Sequence, residues 1–72
     1  MHRFTVTIET GNAAFCDEQT GEPTPEARNR ELALILRVLA DRLEEGTVGP
    51  CRNLYDTNGN PVGVAQLTRT RR

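Results

Sequence analysis

His2, Cys16 and Cys51 are the side chains of this chain best suited to nucleophilic or metal chemistry, and their spacing assembles neither. A catalytic thiol needs a base within hydrogen-bond reach, and the only histidine stands beside the N-terminal methionine, where chain ends fray. The two cysteines belong to no Cys-x-x-Cys pair, so they read as free thiols rather than as a zinc or redox set. Asp17-Glu18 and Glu44-Glu45 have the residue types of a general acid and base, but adjacent carboxylates in a polar loop or at a helix end are ordinarily just hydrated. Gly59 and Gly63 fall inside a hairpin pattern instead of following a strand and opening a helix, which is what a phosphate-cradling loop requires. Phe4, Phe15 and Tyr55 are too few and too scattered to stack successive bases. The expectation is a protein without catalytic residues, metal or cofactor.

Charge is more informative than chemistry. The 72 residues carry a formal net charge of -1, with a pI near 5.7, which argues against a general nucleic-acid binder. Glu9, Asp17, Glu18, Glu22 and Glu26 form an acidic stretch uninterrupted by any base, and they are the candidate residues for contact with a basic protein surface. Arg69, Arg71 and Arg72 close the chain with positive charge, and together with Arg52 they are the candidates for phosphate contact. All nine basic residues are arginine, a side chain that makes bidentate contacts lysine cannot.

Three kinds of element must position these groups. Arg3 to Glu9 alternates strictly, with Phe4, Val6 and Ile8 on one face and Thr5, Thr7 and Glu9 on the other, as in a half-buried strand. Residues 10–24 read as a loop tacked to the core by Phe15. Thr24 as N-cap, Pro25 at the first helical position and Glu26 in the first turn open a helix that Gly46 stops. Leu32, Ile35, Leu36, Leu39 and Leu43 give that helix one apolar face. Residues 51–56 and 62–68 form a hairpin around Asn58-Gly59, a dipeptide suited to the positive φ angles of tight turns. A two-residue loop sets Leu54 opposite Gly63, and a three-residue loop with a bulge sets it opposite Val62; a core of Leu54, Val62, Ala65 and Leu67 implies a local irregularity near Gly63.

The helix returns the chain so that the first two strands run the same way and the third opposes them. Placing the third between the others makes every neighbouring pair antiparallel. The predicted fold is therefore a single α+β domain over residues 1–72, β-α-β-β, with a three-stranded antiparallel sheet of order 1-3-2 and the helix packed on one face. Residues 69–72 read as a flexible tail. Leu34 and Val38 lie off the leucine stripe and close to each other, which makes them candidates for contact between subunits. A small core and two open sheet edges lead to the expectation of a homodimer, joined by an edge strand or through Leu34 and Val38.

Three blocks carry a family resemblance: Phe4 to Phe15 (FTVTIETGNAAF), Leu39 to Gly46 (LADRLEEG) and Leu54 to Gly63 (LYDTNGNPVG). In order and spacing the chain resembles a group of small proteins encoded by bacteriophages, prophages and plasmids. It departs from that pattern at Val64-Ala65, where a bulky aromatic is expected in the last strand. The resemblance implies the cytoplasm of a phage-infected or prophage-carrying bacterium, consistent with the lack of a membrane-spanning run or signal sequence. Some short proteins of this kind are anti-CRISPR inhibitors, which implies a protein partner such as a CRISPR effector subunit. The expected function is thus non-enzymatic inhibition of a host defence complex by binding a protein surface. The alternative is a small dimeric nucleic-acid-binding regulator that uses the arginine-rich tail.

Overall fold

The computed structural model describes residues 2–69. Its elements are strand β1 (His2–Ile8), a short 3₁₀ helix (Ala13–Phe15), helix α1 (Pro25–Glu45), strand β2 (Cys51–Tyr55) and strand β3 (Pro61–Arg69). β3 lies between β1 and β2 in an antiparallel sheet of order β1-β3-β2, and α1 packs against the sheet at β2, as the strand directions require.

Both ends of α1 are closed by the residues expected to close them. The Thr24 hydroxyl accepts the Ala27 amide at 3.1 Å, Pro25 occupies the first turn, and Gly46 turns into the left-handed region at φ 77°. Its buried line is Ala27, Glu31, Ile35 and Leu39, a row of residues four apart that faces β2 and the 3₁₀ helix.

The hairpin uses a three-residue loop. Asp56 and Asn60 pair across it at 3.0 Å, and the Gly59 amide bonds back to the Asp56 carbonyl at 3.0 Å. Within this loop only Gly59 takes a positive φ, at 83°, so Asn58 does not supply the left-handed angle that its pairing with Gly59 suggested. The Asp56 carboxylate explains the difference. It accepts the Asn58 and Asn60 amides, each at 2.9 Å, and so favours an ordinary turn followed by one left-handed residue. The ladder then slips between Leu54, opposite Gly63, and Tyr55, opposite Pro61. Val62 is left as the extra residue and turns into the core beside Leu54 and Ala65, which is the irregularity the apolar pattern called for.

The core is smaller than the pattern of apolar residues predicts. Phe15, Ile35, Leu39, Leu54, Val62 and Ala65 form it, with Ile8, Ala14, Leu32 and Val48 packed around them. Phe15 is almost fully enclosed and holds residues 10–24 down, as expected. Five expected core residues are exposed, Phe4 at 43 %, Val6 38 %, Leu36 46 %, Leu43 47 % and Leu67 45 %, and Ile8 and Leu32 are only half-buried. The reason is where the helix sits. α1 covers β2 and the 3₁₀ helix, so among the described residues the Phe4–Val6 part of the inner face of β1 and the adjoining end of β3 have no helix packed over them. Arg69 is also placed differently from its expected position in a flexible tail, because it is the last residue of β3 and pairs with His2. The rest of that predicted tail lies outside the described residues.

Candidate functional site

α1 runs antiparallel to β2, and between them lies an open groove with a cavity of about 400 Å³. Its floor is Ile35, Leu39 and Leu54, all buried, and its rim is Leu34, Val38 and Tyr55, all exposed. Arg42 and Arg52 stand at one end, and Glu31, Asp56 and Thr57 at the other. Leu34 and Val38, singled out for lying off the leucine stripe, are thus brought together as one wall of this groove. The other wall is the outer edge of β2, whose backbone groups on that side have no strand beside them among the described residues.

The acidic end is held by a polar network. Glu31 is buried on the inner face of α1, and its carboxylate accepts the Thr57 amide at 2.8 Å and the Thr57 hydroxyl at 2.7 Å. Asp56, also buried, accepts the side-chain amide of Asn12 at 3.1 Å in addition to the two turn amides. Burial pushes the Asp56 carboxyl up, but the hydrogen bonds from Asn12, Asn60 and Asn58 outweigh it and hold the group below its ordinary value. The two carboxylates tie loop, helix and hairpin together, and every buried side-chain polar atom among the described residues has a partner. Their signals in the sequence are local. Glu31 falls one turn before Ile35 on an apolar face, where a carboxylate needs a partner, and Asp56 opens a turn as aspartate commonly does.

The acidic stretch is an ordered loop. The Asp17 amide bonds the Glu22 carbonyl at 2.8 Å, Gly21 bonds back to the Asp17 carbonyl at 2.7 Å, and Cys16 bridges to Pro23. Half-buried Asp17 uses its own carboxylate to cap the turn, accepting the Gln19 amide at 2.8 Å and the Thr20 amide at 3.3 Å. Glu18, Glu22 and Glu26 are exposed on or just after this loop, whereas Glu9, also exposed, stands apart at the end of β1. The arginines are not gathered into one cluster. Arg52 lines the groove with Arg42, Arg69 lies four residues beyond Arg52's β3 partner Ala65, and Arg71 and Arg72 lie outside the described residues.

Cys16 is half-buried and Cys51 exposed, both as free thiols. Among the described residues no group of three His, Cys, Asp or Glu side chains is placed to hold a metal ion, and no helix is long and apolar enough to cross a membrane. No family model, curated protein or solved structure matches the chain.

Proposed function

We propose that this α+β domain is a non-enzymatic binding protein of a phage or other mobile element, and that it inhibits a host defence complex of the CRISPR type by occupying a protein surface that otherwise handles nucleic acid. The observation that carries the reading is the ordered acidic loop. Its backbone is fixed by the Asp17 turn and by Phe15 in the core, so Glu18, Glu22 and Glu26 project from a defined scaffold at little entropic cost on binding. Carboxylates held this way complement the arginine- and lysine-lined channels in which effector complexes bind guide or target strands. The resemblance of the three sequence blocks to phage and plasmid proteins supports the same direction. The α1–β2 groove, with its exposed Leu34, Val38 and Tyr55, offers an apolar contact beside the charged one.

Co-elution of the purified protein with a panel of effector complexes, together with phage plating on immune hosts, tests the reading. Binding that is lost when Glu18, Glu22 and Glu26 are all changed to lysine, with folding retained by circular dichroism, is the expected result. Absence of binding to every effector, with no rescue of plating, overturns it. Salt-dependent binding to DNA would instead favour the regulator reading through Arg52 and Arg69.

A further inference from the structure

β1 is written to pair with itself. Read outwards from Val6, its residues and the Glu9 that follows them match across the centre: Thr5 with Thr7, Phe4 with Ile8, and Arg3 with Glu9. Two copies laid antiparallel about a two-fold axis at Val6 set threonine against threonine, apolar against apolar and, at both ends, arginine against glutamate. Shifting the register by one residue would turn every apolar side chain to the wrong face.

The sheet leaves this edge free and oriented for the purpose. β1 is an edge strand, since among the described residues only β3 lies beside it. The Glu9 amide bonds the Val62 carbonyl at 2.7 Å, which sends the backbone groups of the odd-numbered residues of β1 towards β3. Those of Phe4, Val6 and Ile8 therefore point outwards from the open edge, and Val6 at the centre becomes a hydrogen-bonded pair with its own copy. Thr5 with Thr7 and Arg3 with Glu9 then fall at the closer, non-hydrogen-bonded positions, where side chains interact best. On the inner face, Phe4 and Val6 are the half-exposed side chains that α1 fails to cover.

We propose that a second copy of this chain docks on β1 in this register, forming a six-stranded antiparallel sheet of order β2-β3-β1-β1-β3-β2 with the two helices on one face, each towards an outer strand. Phe4 and Val6 of one copy cover Ile8 and Val6 of the other, and the two-fold closes the assembly at a dimer. The inference does not depend on the inhibitor reading, because the acidic loop and the α1–β2 groove stay outside the paired edge.

Charge reversal tests it. Light scattering and sedimentation should report a dimer of the wild-type chain in reducing buffer. Arg3→Glu and Glu9→Arg should each weaken it at least tenfold by placing like charges together, and the double variant should recover most of the loss, which a merely misfolded protein would not do. In a chain with Cys16 and Cys51 replaced by serine, Val6→Cys should oxidise to a covalent dimer and Val38→Cys should not. A wild-type monomer up to hundreds of micromolar would overturn the proposal. A dimer indifferent to both single reversals, one split instead by Leu34→Glu with Val38→Glu, or one lost on reduction would each overturn it too, by placing the contact elsewhere.

Discussion

Glu31 shows how one buried carboxylate can organise a molecule with a small core. It accepts both donors of Thr57 and so fastens the second turn of the helix to the hairpin loop. Removing it leaves the Thr57 amide and hydroxyl without their partner in a partly closed site. Glu31→Ala should therefore cost about 1.5–3 kcal/mol in urea unfolding, whereas Glu31→Gln, whose amide oxygen can still accept the Thr57 amide, should cost about 1 kcal/mol or less. Asp56 adds a dependence on pH. Because its folded value lies below the ordinary one, its ionised form contributes stability that is fully present above about pH 4 and is lost as pH falls through the depressed folded value. Thermal melts of the wild type and Asp56→Asn should accordingly differ most near neutrality, and the gap should narrow as pH is lowered towards about 3. A gap independent of pH would mean that the carboxylate's charge plays no part in holding Asn12, Asn58 and Asn60.

Among the elements, β1 and β3 approach closely at Gly63. Gly63 lies opposite Ile8, and a Cβ added there would fall on the Thr7 carbonyl oxygen and press on the Ile8 backbone, neither of which is a flexible side-chain end that can swing away. Glycine is required here for space rather than for an unusual φ. Gly63→Ala should destabilise the fold by about 1–3 kcal/mol or force β1 to shift against β3, which amide exchange along β1 would reveal as lost protection. The helix, by contrast, is specified almost entirely by local signals. Thr24, Pro25 and Gly46 close its ends without help from the sheet, which is why its boundaries could be read directly from the chain.

For the whole molecule, the balance is between the small buried core and the exposed apolar side chains, among them Phe4 and Val6 on β1 and Leu67 beside them on β3. A self-paired β1 covers part of that surface and makes folding depend on association. The melting temperature should then rise with protein concentration in wild type, and this dependence should disappear in Arg3→Glu and return in the charge-swapped double variant. A melting temperature constant over a hundredfold concentration range would instead mark a self-sufficient monomer.

Element order, strand directions and the 1-3-2 sheet were legible in the residues, because caps, turn formers and alternation act over a few positions and one helix between parallel-running strands leaves few topologies. The bulge at Val62 was legible as well, since Leu54, Val62 and Ala65 cannot share one face without it. What only the tertiary structure decided is which apolar residues are covered. A leucine stripe states that a helix has a face to bury, but where that helix lies across the sheet depends on Phe15, on Glu31 with Thr57 and on the line from Ala27 to Leu39, contacts between segments far apart in the chain. Those contacts draw α1 over β2, so Leu36, Leu43, Phe4, Val6 and Leu67, apolar by the same pattern, stay open. The same placement makes the α1–β2 groove, which exists only because Leu34 and Val38 come to stand beside the outer edge of β2.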